Sequence, residues 1–373
     1  MRFFAALQVL VFHCTRWPTW SGHPYAQNVA GSGFVAVSAF FILSGFILTY
    51  VHSGRDARPL DRRNFYVNRF ARIYPAYGFA LALIGPFFIV HTIRIDGFVT
   101  FLKGAIAVPT LLQAWVPSLA MAWNPPSWSL SVEAFFYLLF PIIAPWIVTC
   151  RASTAWVLAV ACYASCLAVP LVYLAVSPDG STPATPESMA FWLNALRYNP
   201  AVRLPEFVIG ILLGRSFLEG GVQRVLGAGA ALWSILAVGA LVLGLSQSPS
   251  VPYPLLHNGL FAPVIVLLIA SLAIGRGPIA AFLGTRPMIA LGDASYSLYV
   301  LHVPLLVFWS KAVLHLTSER FRASAWCTGA FLVCAVIASL LCYRFVEKPL
   351  RERLLALFRK RTAVVSRAPG TVA

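Results

Sequence analysis

Charge is scarce in this chain of 373 residues. Asp, Glu, Lys and Arg make up 11% of it, where soluble domains carry roughly 25%. Hydrophobic residues make up 59% and the mean hydropathy is +0.78. So little charge excludes a water-soluble globular protein and implies one that crosses a membrane many times. No long hydrophilic stretch is present, so no soluble domain is expected alongside the apolar spans. Acidic residues are the rarest, at 12 against 28 basic ones. The net charge of +16 does not point to nucleic acid. The basic residues flank apolar runs, where they act as topology signals and as contacts to anionic membrane lipids or ligand. The seven cysteines form no CxxC pair and lie mostly in apolar runs, so neither a disulfide framework nor a metal site is expected. No repeat of the kind that marks many transporters is visible. No A-x-A cleavage site directly follows the first apolar run, which therefore reads as an uncleaved helix.

What the chain does have is apolar spans. Ten are read, at 2–18, 31–51, 72–92, 127–149, 154–176, 201–218, 226–246, 256–274, 288–312 and 323–344. The stretch 98–116 is interrupted by Lys103, Gly104 and Pro109. It reads as interfacial or re-entrant, with an eleventh span as the alternative. If the N-terminus is inside, twenty of the 28 Lys and Arg fall on inner segments, as the positive-inside rule requires. An eleventh span would carry the eight basic residues from Arg344 onward outside. The expectation is thus an all-α integral membrane protein with about ten transmembrane helices and both termini cytoplasmic. It divides into a membrane domain over 1–345 and a basic cytoplasmic tail over 346–373, disordered at its end.

A few ionisable residues fall inside these spans. In the opening stretch MRFFAALQVLVFH, Arg2 and His13 stand eleven residues apart, roughly 16 Å along a helix. With Arg2 at the inner face, His13 lies about halfway through the membrane, where an imidazole is expensive and a functional candidate. Glu133 and Glu206 each sit about 9 Å below the outer boundary by helix rise, and His302 about 9 Å from it. Four such groups at one depth suggest a polar cavity open to the outside. The competing reading is a structural ion pair, such as Glu133 with Arg203. On the inner side, Arg69 and Arg72 lie three apart, on one helix face, after Arg55, Arg58, Arg62 and Arg63. Guanidinium forks suit phosphate oxygens, although topology alone also calls for basic residues there. Small residues run through the second span, among them Gly31, Gly33, Ser38, Ser44 and Gly45. They allow close helix packing, or else, with Ser44 and nearby Phe side chains, line a tunnel.

Several stretches then recur in a familiar order: RFFAALQVLVFH at 2–13, GFVAVSAFFILSGF at 33–46, RFARIYP at 69–75, WSLSVEAFFYLLFP at 128–141, RLPEFVIGILLG at 203–214, SYSLYVLHVPLL at 295–306 and EKPLR at 347–351. Together they resemble the acyltransferase 3 family of integral-membrane acyltransferases that modify bacterial surface polysaccharides. The likeness covers almost the whole chain. With no soluble domain after the last helix, a stand-alone member is expected.

The resemblance implies a membrane-bound O-acyltransferase in the bacterial inner membrane. It would move an acyl group, first of all acetyl, from cytoplasmic acyl-CoA to a sugar hydroxyl of a surface glycan. Acyl-CoA is then a donor substrate, and no bound cofactor is expected. Arg2, Arg69 and Arg72 would hold the donor's phosphates. His13 would act as general base or transient acyl carrier, with Glu133 orienting it. Glu206, His302 and Ser44 would contact the acceptor. Acceptor selectivity is expected in the outer loops 14–30, 93–126 and 177–200. The alternatives are a transporter or flippase of a glycan or lipid-linked precursor, since buried His and Glu also build proton relays, and a membrane scaffold. Neither the acceptor's identity nor the oligomeric state has a readable pattern.

Overall fold

The computed structural model describes residues 1–14, 23–54, 60–318 and 324–365, with side chains as far as residue 358. Arg55, Arg58 and the last residues of the tail lie outside the described residues. Among the described residues every regular element is helical. The first half holds α1 (Arg2–Cys14), α2 (Pro24–Gly31), α3 (Val35–His52), α4 (Arg62–Ile95), α5 (Phe98–Ala107), α6 (Trp128–Thr149), α7 (Ala152–Val176) and α8 (Phe191–Tyr198). The second half holds α9 (Pro200–Leu218), α10 (Gly221–Leu226), α11 (Ala230–Ser246), α12 (Tyr253–His257), α13 (Ala262–Ala273), α14 (Pro278–Leu283), α15 (Arg286–Leu316), α16 (Ala325–Cys342) and α17 (Lys348–Val365).

Seven helical units are long and apolar enough to cross a membrane: α3, α4, α6, α7, α12 with α13, α15, and α16 with α17. Three of the ten expected spans do not meet that measure. Helix α1 has 13 described residues, about 20 Å. Helix α11 has 17, about 26 Å. Helix α9 has 19, but Arg203, Glu206 and Arg215 lie within it and are buried. Protein rather than lipid surrounds most of α9, so hydropathy alone understates its place in the bundle.

The broken stretch 98–116 does not form an eleventh span. Helix α5 has ten residues, about 15 Å. Beyond it the chain folds into the bundle beside α4. The hydroxyls of Tyr77 and Tyr74 donate to the carbonyls of Val108 at 2.6 Å and Pro109 at 3.1 Å. The chain then returns to the start of α6. Pro304 explains part of its anchorage. Having no N–H, Pro304 leaves the carbonyl four residues earlier without its helical donor. That carbonyl, of Val300, accepts from Asn124 Nδ2 at 2.9 Å. Helix α17 occupies much of the basic tail and packs on α4.

The centre of the bundle is α3 against α9. Their backbones touch because neither has a side chain at the crossing. A Cβ on Gly45 would lie 2.2 Å from the Phe207 carbonyl oxygen, and one on Gly210 2.0 Å from that of Ile42. Gly210 and Gly214 repeat the small residue one turn apart, as close-packed membrane helices do. Close packing is thus what Gly45 provides. Helix α1 sits between α3 and α15, seated at Gly33, where a Cβ would meet the Gln8 carbonyl oxygen at 2.4 Å. Gly210→Val is expected to destabilise the protein by about 1–3 kcal/mol through overpacking, measured by denaturant unfolding in detergent. Gly78→Ala, where a Cβ meets nothing within 4 Å, is expected to leave the unfolding midpoint close to wild type.

Candidate active site

Two cavities lie along α1, α6 and α15. The first is lined by Arg2, Arg69, Arg72, Glu133, Tyr137 and Tyr296, among others. Three guanidinium groups face one carboxylate there. Arg72 is held on one side by Glu347, at 2.5 Å. Glu347 is fully buried and also accepts from Ser297 Oγ at 2.6 Å. It sits on a π-helical turn, Tyr343–Glu347, between α16 and α17. Such turns re-aim side chains that a straight helix would point elsewhere. Arg69 lies over the rings of Tyr137 and Phe65, at 5.6 and 5.8 Å. The buried Nε groups of Arg2 and Arg69 have no hydrogen-bond partner among the described residues.

The second cavity is lined by His13, Trp128, Tyr198, Tyr253 and His257, with Phe34 and three prolines among others. His13 Nδ1 lies 2.9 Å from the Val9 carbonyl oxygen. That contact makes Nδ1 the protonated nitrogen and leaves the lone pair on Nε2. The ring centroid of His13 is 4.8 Å from that of His302, and His302 Nδ1 is 2.6 Å from the Tyr299 carbonyl oxygen.

Tyr299 lines both cavities. Its hydroxyl is 2.7 Å from Ser129 Oγ and 3.1 Å from the Pro126 carbonyl oxygen. Three helices therefore run from one cavity to the other. Helix α1 carries Arg2 to His13, α6 carries Tyr137 and Glu133 to Trp128, and α15 carries Tyr296 to Tyr299.

The four ionisable groups expected at one depth do not share one cavity. His13 and His302 are neighbours, but His302 is fully buried behind the lining. Glu133 lines the arginine cavity, where it accepts from Ser44 Oγ at 3.1 Å and from the Tyr137 hydroxyl. Ser44 thus braces Glu133. Glu206 is buried and pairs with Arg203 at 2.9 Å, on its own helix. Arg203 therefore pairs with Glu206, one turn along α9, and not with Glu133. Arg203 also donates to the His257 carbonyl and to Asn258 Oδ1 at 2.6 Å, which fixes His257 at the second cavity. Loops 93–126 and 177–200 do contribute lining residues, through Met121, Pro125, Pro186 and Tyr198. The segment carrying Tyr253 and His257 has no signal in the sequence. The only hint of Glu347 is its place in EKPLR.

The sequence profile of one family, described as an acyltransferase domain, matches residues 1–344. The chain belongs to this acyltransferase family. It is 28% identical to acyltransferase MdmB of Streptomyces mycarofaciens, over 100% of this chain and 94% of that protein. A Bacillus subtilis (strain 168) protein provisionally named peptidoglycan O-acetyltransferase YrhL is 26% identical over 98% of this chain. O-acetyltransferase OatA of Staphylococcus aureus (strain NCTC 8325 / PS 47) is 21% identical over 95% of it. The chain spans 56% of each of these last two. No solved structure matches it. Seven apolar helices and this family together describe a multi-pass membrane protein of the acyltransferase kind. The family favours acyl transfer over the transporter reading.

Removing one partner of the Arg72–Glu347 pair strands a charge. Glu347→Ala is expected to cost about 3 kcal/mol. Adding Arg72→Ala should restore part of that loss, and a double-mutant cycle on unfolding in detergent measures the coupling.

Proposed function

We propose that the protein is a membrane O-acyltransferase of the bacterial inner membrane. It moves an acyl group, acetyl first of all, from cytoplasmic acyl-CoA to a sugar hydroxyl of a surface glycan. Helices α1, α9 and α11 complete ten spans, and both termini are cytoplasmic. The observation that supports this reading best is the pair of cavities meeting at Tyr299, one rich in guanidinium groups and the other carrying His13.

Arg2, Arg69 and Arg72 hold the donor's phosphates. Their planar forks suit paired phosphate oxygens, and their mutual repulsion is relieved when an anion binds. Glu133 and Tyr137 keep those forks apart and oriented, with Ser44 bracing the carboxylate. This role for Glu133 replaces that of a partner to His13. The pantetheine arm then brings the thioester past Tyr299 toward His13.

His13 Nε2 accepts the proton of the sugar hydroxyl. The freed oxygen attacks the thioester carbonyl carbon. As the C–O bond forms, the C–S bond breaks and the sulfur leaves with the proton returned by the imidazolium. His302 packs against His13 and limits its rotation. Glu206 acts through Arg203, which fixes His257 on the acceptor side.

Purified protein with acetyl-CoA and an acceptor should release free CoA. His13→Ala is expected to slow this by about 10²–10⁴-fold, the usual contribution of a general base. An unchanged rate in that variant would sink the mechanism. Arg2→Lys keeps the charge but loses the fork, so KM for acyl-CoA should rise roughly tenfold with membrane insertion unchanged.

A further inference from the structure

The second cavity does not close above His13. Phe34, Pro186 and Tyr253 line it, and the same three residues line an open cleft. The cleft runs between Gly31 and Ser32, residues 184–186, and residues 248–253. Its polar groups are hydroxyls, chiefly those of Thr185, Ser248 and Ser250. No Lys, Arg, Asp or Glu lines it among the described residues.

The throat between cleft and cavity is braced by a guanidinium that the acyl transfer does not use. Arg197 is fully buried. It donates to the carbonyls of Pro186 at 3.2 Å and Ser188 at 2.6 Å, to the Tyr253 hydroxyl at 3.3 Å, and to Asn194 Oδ1. No carboxylate pairs with it among the described residues. A buried cation held by neutral oxygens and by the faces of the Tyr198 and Tyr253 rings, with no carboxylate, is costly. Here it ties the two sides of one opening, Pro186 and Tyr253, to a common point. Below the throat, the rings of Trp128 and Tyr198 lie 4.8 Å apart, and those of Tyr253 and His257 5.6 Å apart. An aromatic floor with a few hydroxyl groups above it is what a sugar needs: flat C–H faces against the rings, and hydroxyl partners along the edge.

We propose that the cleft is an extended acceptor site for an uncharged saccharide chain. One sugar sits on the aromatic floor beside His13 and the next sugars follow along the cleft. Arg197 is the positioning residue of the throat. The proposal rests on the acyltransferase reading and adds the class and extent of its acceptor. A second groove, between α4, α5 and α15, also reaches the cavity through Met121 and Pro125, and Arg94 and Lys311 line it. That groove suits a phosphate-linked lipid. The cleft is favoured for an uncharged saccharide because Arg197 braces its walls and its polar side chains are hydroxyls, whereas the groove is lined by the charged Arg94, Asp96 and Lys311.

The test uses the full chain in lipid nanodiscs. The probes are N-acetylglucosamine and its uncharged β-1,4-linked tetramer. The tetramer is expected to slow maleimide labelling of Ser250→Cys about threefold or more by mass action, read by mass spectrometry at that site. No protection overturns the proposal. In acyl transfer from acetyl-CoA, Ser250→Trp narrows the cleft. It should raise KM for the tetramer roughly tenfold and leave the monomer and acetyl-CoA unaffected. An equal effect on monomer and tetramer overturns the proposal. Arg197→Lys should also raise KM for the tetramer while kcat is kept. Use of a phosphate-linked lipid acceptor in place of the tetramer, lost on Lys311→Ala, assigns the acceptor to the groove and overturns the cleft. Protection of Ser250→Cys by the tetramer, together with no release of CoA by the wild-type chain, would uphold the cleft and remove the acyl-transfer reading.

Discussion

A guanidinium among apolar helices has to be met by oxygen, and that requirement organises this bundle. Arg203 meets Glu206 and the segment bearing His257. Arg72 meets Glu347, which joins α4 to the turn before α17. Arg215 meets Glu219 and the carbonyls of Ile147 and Cys150, which joins α9 to the end of α6. Arg197 meets backbone and side-chain oxygens at the throat. Once these are accounted for, buried positive charge is still in excess at one cavity among the described residues. Arg2 and Arg69 share with Glu133 a cavity that has more cation than anion. That surplus is what the proposed donor phosphates would meet.

The apolar contacts serve the same arrangement. Gly45 and Gly210 bring α3 and α9 together until backbones touch, and this fixes the slot into which α1 fits. Helix α1 then spans both cavities, with Arg2 at one end and His13 at the other. Pro304 and Asn124 tie the chain entering α6 to α15, so two of the helices that carry site residues cannot slide independently. Positions at the two cavities are coupled through rigid elements rather than loops.

The long helices were legible because lipid selects for apolar length, and the seven that meet that criterion lie at spans read from hydropathy. Helix α9 was legible as a span but fails the same measure, because its surroundings are protein and its charges are paired internally. Depth along a helix was also legible from counting residues. Direction around the helix was not, and there the reading of Glu133 went astray. Helix rise put it near His13, whereas its side chain turns toward Arg2 and Arg69. The pairing of Arg72 with Glu347 joins residues 275 apart in the chain, and no local spacing reveals it. Arg197 and His257 escaped for the same reason. Each takes its meaning from a segment that only the folded chain brings near.

The partition at Tyr299 has a consequence for the membrane itself. Between the two cavities stands an aromatic ring tied by its hydroxyl to Ser129 and Pro126. A membrane that stores energy as an ion gradient cannot tolerate an open pore through its proteins. On the proposed reading the ring would have to turn aside for the thioester and fall back onto its two oxygens, passing a small uncharged group while denying water a continuous file. On that reading, acyl transfer and the electrical seal of the membrane would depend on the same ring.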